Sequence, residues 1–233
     1  LVRAAAGEAD PTQLARAWPV QVGLAARAAR WTAAVEHALG AQGLRELVAA
    51  EGTALTALAT LARHTTSPAD QRAFAAHIAA RLHGQHVLKE LQRTGAVDAH
   101  CFDWQRQLRY YLTSEEQLRL RSLAAEVNYL YEYAGSAARA VLTPAVDRCL
   151  HALLTAQQLG CAVLLTGPAG SGKGETAREL ARLAGAPYRV FACAEALPAR
   201  AMGRAFLGLA LQDAWGCFAA AERLRPEVLA ALD

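Results

Sequence analysis

The stretch Ala162–Thr176, AVLLTGPAGSGKGET, limits what this chain can fold into more than any other. It predicts a short apolar strand, a glycine-rich loop and then a helix. That is the layout of a phosphate-binding loop, G-x-x-x-x-G-K-[ST]. Gly167, Gly172 and Lys173 occupy fixed positions of the pattern, and Gly174 stands where it asks for Ser or Thr. Such a loop works because backbone N–H groups in a tight turn form a concave cage at a helix N-terminus, where the helix dipole favours anions. Candidate phosphate-cage residues are Gly167, Pro168, Ala169, Gly170, Ser171, Gly172, Lys173 and Gly174. Lys173 would reach the terminal phosphates, and the hydroxyl missing at Gly174 is the one that holds Mg²⁺. Thr176 lies about 200° round the helix from that position and is a poor substitute. The bland alternative is a strand–turn–helix with no ligand.

A hydrolytic site of this kind needs a second strand that ends in an acidic pair, one residue supporting the metal and one polarising water. Tyr188–Val190–Phe191 predicts one strand, and Ala214–Phe218 is the candidate for the acid-bearing one. Ala219 and Ala220 occupy the acidic positions. Glu222 follows, displaced toward the next helix. The expectation is therefore no catalytic residue and no metal ligand here.

The segment before residue 101 reads as successive amphipathic helices. Leu24, Ala28, Trp31, Val35 and Leu39 form one stripe, and Leu44, Leu47, Val48, Leu55, Leu58 and Leu61 another. Ser67-Pro68-Ala69-Asp70 is a helix start whose buried face would carry Phe74, Ile78 and Leu82, with a stop at Gly95. His77, His83 and His86 lie on that helix without a clear ligand spacing, so they read as surface or half-buried side chains. Residues 102–111 mix aromatic and basic residues. They read as a helix packing Phe102, Trp104, Leu108 and Tyr111 inward, with base stacking as the alternative. Leu118–Tyr133 suits strands, and Thr143-Pro144 opens a helix that leads to the loop.

With a net charge of +3 and no basic run, composition does not indicate nucleic-acid or membrane binding. The five cysteines lack metal spacing and read as buried, reduced thiols of an intracellular protein. No apolar run is long enough for a transmembrane helix. A first residue other than Met, and an end within a helical pattern, read as a fragment.

Ordered motifs along the chain resemble the dynein heavy chains, at the junction of linker and first AAA+ module. Phe102-Asp103-Trp104 through Gln107-Leu108-Arg109-Tyr110-Tyr111 is similar to the family's FDW…QLRYY. Tyr131-Glu132-Tyr133 with Gly135, then Arg139, Val141-Leu142-Thr143-Pro144 and Asp147-Arg148-Cys149, resemble YEY-x-G…R-L-V-I-T-P-L-T-D-R-C. Gly167–Thr176 resembles GPAGTGKTET. Val190-Phe191, Cys193, Ala201-Met202-Gly203, Gly208-Leu209-Ala210 and Ala214-Trp215-x-Cys217-Phe218 follow in family order. The departures are Gly174 for Thr, Ala219-Ala220 for Asp-Glu and Glu222 for Asn.

The resemblance implies an α/β fold: a helical linker segment followed by the N-terminal part of a P-loop AAA+ domain with a parallel sheet. It divides the chain at 1–112 (linker), 113–143 (connecting strands) and 144–233 (AAA+ part). It implies ATP or ADP as ligand, with Mg²⁺ coordination impaired, and places Val141–Pro144 near the adenine. It further implies a minus-end-directed microtubule motor, the rest of the heavy-chain ring as partner, and intermediate, light intermediate and light chains. Microtubule contact would lie outside this segment. The implied location is cytoplasm and cytoskeleton, with the axoneme of a cilium or flagellum as the narrower option. Three readings stay open: a nucleotide-binding motor segment with impaired hydrolysis, an inactive pseudo-ATPase scaffold, and an unrelated P-loop binding protein.

Overall fold

The computed structural model describes residues 18–41, 43–135 and 143–230. These form two compact units. The first holds the described residues up to Tyr129 together with Tyr133–Cys161; the second holds Leu130–Glu132 and the described residues from Ala162 onward.

Three long helices build most of the first unit: α1 (Val20–Gly40), α2 (Leu44–His64) and α3 (Pro68–Thr94). Local chemistry sets the ends of α3. The Asp70 N–H donates to Ser67 Oγ at 3.4 Å, Pro68 fills the first turn, and Gly95 closes the helix at φ 68°. Val35 and Leu39 of α1 pack with Val87, Leu88 and Leu91 of α3 around fully buried Trp104. Trp31 stacks obliquely on that indole at 5.6 Å. Farther along, Leu58 and Phe74 make a second apolar contact between α2 and α3.

Packing shifts the predicted stripes. On α1 the small residues Ala25, Ala26 and Ala29 are buried, while Leu24 and Ala28 are only partly so. On α3 the buried face runs through Ala76, His77, Ala80, Arg81 and Gly84, and Leu82 is 51% exposed. A Cβ at Gly84 would stand 3.1 Å from Trp31 Nε1, so α1 and α3 meet at a glycine.

Charge is buried at this seam. Glu51 Oε2 of α2 accepts from Arg81 Nη1 at 2.7 Å and from Arg27 Nη2 at 3.3 Å. Arg27 Nη1 also donates to the Ala80 carbonyl at 3.3 Å. One carboxylate thus serves two guanidiniums, an arrangement that orders three helices while contributing little net stability. His77 is buried beside these arginines, deeper than the surface or half-buried position expected for it. Among the described residues no group of three His, Cys, Asp or Glu could hold a metal.

From Cys101 the chain makes a single helical turn, α4 (Phe102–Gln105), then a three-stranded antiparallel sheet. The strands are β1 (Arg109–Leu112), β2 (Leu118–Ser122) and β3 (Ala125–Asn128), in that order, with Tyr110 opposite Leu120 and Leu120 opposite Val127. The single inward helix expected over 102–111 is not formed. Phe102 and Trp104 are two residues apart and cannot share a helix face. Trp104 takes the core and Phe102 is 66% exposed. The sheet is fastened to α1 by two side chains: Thr32 Oγ1 accepts from the Tyr110 N–H, and Glu36 Oε1 accepts from Tyr111 OH and from Trp104 Nε1.

Helix α5 (Pro144–Leu159) packs on β3. Thr143 caps it through the Val146 N–H at 3.3 Å, and Gly160 ends it at φ 67°. His151 Nδ1 lies 2.6 Å from Ser122 Oγ, and its Nε2 is 3.5 Å from Asp147. Burial works to raise the Asp147 carboxyl, yet it lies below its ordinary range because His151, Arg106 and His83 favour the anion.

The second unit contains helix α6 (Lys173–Leu183), strand β4 (Tyr188–Ala192), helix α7 (Ala199–Gln212), strand β5 (Trp215–Ala219), a 3₁₀ turn (Ala221–Arg223) and a short helix, α8 (Pro226–Leu229). Strands β4 and β5 pair in parallel, from Tyr188 opposite Trp215 to Ala192 opposite Ala219. The α/β class and parallel sheet expected from the sequence are therefore present. The strand expected at Ala162–Leu165 is not formed among the described residues; Leu164 is 80% exposed. A strand takes its hydrogen bonds from neighbouring backbone, and apolar composition alone does not supply them. Val141 and Leu142 lie outside the described residues.

The buried histidine has a measurable consequence. Burial pushes the His77 imidazole from 6.5 down to about 4, and Arg27 and Arg81 push it the same way. The unfolded chain therefore binds this proton first. Stability is complete above the ordinary value and falls as pH drops from about 6.5 toward 4, by a limit of about 3 kcal/mol from this group. Denaturant midpoints measured across that range should show the slope in wild type and a flatter profile in His77→Leu. Parallel profiles would refute the assignment.

Candidate functional site

The loop between Gly167 and Gly172 is built from backbone that side-chained residues avoid. Gly167, Gly170 and Gly172 have φ of 154°, 76° and 82°. Gly172 is the N-cap of α6, and the Thr176 N–H makes the first helical bond, to the Gly172 carbonyl at 2.9 Å. The N–H groups ahead of it therefore have no intrahelical acceptor, which is the donor set an anion needs. Pro168, Ala169 and Ser171 complete the turn, with the Ser171 N–H 3.4 Å from the Pro168 carbonyl. The whole loop is exposed.

Lys173 braces it from within. Its ammonium donates to the carbonyls of Gly167 at 2.8 Å and Pro168 at 2.7 Å, and lies 3.4 Å from Ser171 Oγ. This side chain brings a positive charge into the mouth of the loop. Two residues later Glu175 pairs with Arg178 at 2.5 Å, so this first-turn carboxylate is engaged by an arginine on its own helix.

The metal-side positions are chemically bare. Gly174 offers no hydroxyl, and a Cβ built there would meet nothing within 4 Å. Space is not what excludes a threonine. Thr176 Oγ1 donates to the Gly172 carbonyl at 3.0 Å, so that hydroxyl is turned to the backbone. Ala219 ends β5, and its carbonyl accepts from the Cys193 N–H at 2.9 Å. Ala220 takes φ 58°, an unusual conformation for alanine. Glu222 is exposed on the 3₁₀ turn, displaced from the strand end as its sequence position implied.

The strand ends are held by a small apolar core. Cys193, Met202, Leu224 and Val228 are buried together, with Phe218 against them. Phe218 stacks on Phe191 at 5.2 Å and meets Phe206 at 5.0 Å. Helix α7 comes so close to β5 that a Cβ at Gly216 would overlap Leu209 Cδ1. Burial, Glu222 and Cys217 push the Cys193 thiol up, away from the reactive thiolate. Burial and then Cys217 push the Tyr188 phenol up. Neither group is poised for proton transfer near neutral pH.

Sequence reasoning missed the bracing role of Lys173 and the left-handed Ala220. The first follows from the flexible stem of a lysine within reach of two loop carbonyls. The second has no sequence signal, because neither Gly nor Asn marks it.

Residues 129–233 match the family described as the hydrolytic ATP binding site of the dynein motor region. Over 219 residues the chain is 36% identical to dynein axonemal heavy chain 1 of Rattus norvegicus, covering 94% of this chain and 5% of the relative. Human dynein axonemal heavy chain 1 is 37% identical over 219 residues, with the same coverage. Human dynein axonemal heavy chain 12 is 34% identical over 216 residues, covering 92% of this chain and 7% of the relative. The chain thus spans a small fraction of the length of these relatives.

The strained alanine makes the strand end testable. Ala220→Gly should raise stability by about 0.5–1 kcal/mol, since relief of the left-handed penalty exceeds the added chain entropy. Ala220→Val should lower it. Chemical denaturation of both variants measures this, and a destabilised glycine variant would show that the conformation carries no strain.

Proposed function

This chain belongs to the dynein heavy chain family, and we propose that its phosphate loop binds adenine nucleotide without turning it over at a useful rate. The observation that carries this reading is a division within one site. The cage residues Gly167–Lys173 have the backbone that phosphate binding requires, while Gly174, Ala219 and Ala220 lack every side chain that would hold Mg²⁺ or polarise water. The relatives' names support assembly into an axonemal heavy chain of a ciliary or flagellar motor, where microtubule contact and partner chains involve regions beyond this segment.

Within that assembly two roles differ in consequence. As a nucleotide-sensing segment, the loop would change state on binding. As an inert scaffold, it would keep its shape whatever the nucleotide. The intact lysine brace and glycine backbone favour the first, because a scaffold has no need of either.

Restoring the lost chemistry tests the proposal. In the full-length heavy chain, Gly174→Thr with Ala219→Asp and Ala220→Glu should raise single-turnover phosphate release by about tenfold or more, as the metal and water positions are refilled. Lys173→Ala in the otherwise wild-type chain should leave release unchanged while weakening nucleotide binding. Wild-type release that depends on Lys173 would overturn the non-hydrolysing assignment.

A further inference from the structure

Resting on the reading that this loop holds adenine nucleotide, we infer that it does so without a divalent cation and takes the diphosphate in preference to the triphosphate. The family implies Mg²⁺, and the residues do not fit it. Magnesium takes hard oxygen ligands in near-octahedral geometry, commonly one or two from carboxylate or hydroxyl side chains beside the phosphates. Gly174 has no side chain, and the Thr176 hydroxyl is bonded to the Gly172 carbonyl. Strand β5 ends at Ala219, Ala220 follows it, and Glu222 sits on the exposed 3₁₀ turn. No constellation of three acidic, histidine or cysteine side chains exists among the described residues.

Charge balance then selects the ligand. A bound metal is usually the largest local positive charge at a phosphate site. Without one, Lys173 is the loop's own cationic side chain, and two of its three donors are directed at the Gly167 and Pro168 carbonyls. Helix α6 adds the partial positive charge of its N-terminus. A diphosphate can be held by one ammonium and the loop amides. A γ-phosphate brings more negative charge to the position that a metal would otherwise neutralise, where Ala219 and Ala220 supply none. The same groups that remove hydrolysis therefore turn the site toward the product of hydrolysis.

Hydrogen exchange in the full-length heavy chain reads this locally, through peptides spanning Gly167–Thr176. ADP and a non-hydrolysable ATP analogue are titrated with Mg²⁺ and with EDTA. The expected result is ADP protection within about twofold in the two buffers, with the analogue weaker than ADP in EDTA by about tenfold or more. An ADP affinity that falls tenfold in EDTA, or an analogue as tight as ADP without metal, would overturn the inference while leaving nucleotide binding intact. Protection by no nucleotide in either buffer would overturn the binding reading itself. Gly174→Thr with Ala219→Asp supplies the converse: binding by this variant should become Mg²⁺-dependent, and indifference to the metal would count against the inference.

Discussion

The ammonium of Lys173, held between two carbonyl oxygens of its own loop, is the contact on which the candidate site depends. A glycine-rich turn has many accessible shapes, and ordering it costs more backbone entropy than ordering any other sequence. A charged donor reaching back across the turn restricts those shapes with two charge-assisted hydrogen bonds. Three glycines at positive φ then give a cage that side-chained residues would trace only at a cost in strain. The lysine therefore has two jobs, shaping the loop and carrying its charge, and both are independent of what stands at positions 174, 219 and 220. That separation lets the loop keep its shape where Gly174, Ala219 and Ala220 carry no metal-binding or water-polarising side chain.

The first unit solves a different problem. Three long helices need a unique alignment, and alanine-rich faces supply few large side chains to enforce one. Buried polarity supplies it. The Glu51 carboxylate joins arginines of α1 and α3, and the Gly84–Trp31 contact sets their closest approach. The Tyr111 and Trp104 donors on Glu36, and the Tyr110 N–H on Thr32, extend that alignment to the antiparallel sheet. His151 and Ser122 extend it to α5.

Features that act within a few residues were legible in the sequence. Ser67 and Pro68, Gly95, Thr143 and Pro144, and Gly160 mark helix ends as their chemistry requires. The glycine-rich loop ahead of α6, and the alanines at and after the end of β5, were readable as residue types at fixed spacing. Features set by distant neighbours were not. Leu82 yields the buried face to His77 and Arg81 because α1 and α2 present a carboxylate and an arginine there. Residues 102–111 split into a turn and a strand because β2 offers a backbone ladder that a helix would forgo. Ala162–Leu165 has the composition of a strand but no ladder among the described residues, and composition cannot say where a partner will be.

The close seam at Gly216 has a mechanical side. Where a helix and a strand are separated by side chains, a load on the helix is partly absorbed by rotamer changes. At Gly216 the Leu209 side chain of α7 rests against bare β5 backbone, so there is one layer of side chain to compress where two would be usual. A push on α7 would pass into β5 with less slack there, and β5 ends at Ala219, one residue before Ala220. Such a joint suits the transmission of strain, whether or not the alanines at and beyond the strand end perform any chemistry.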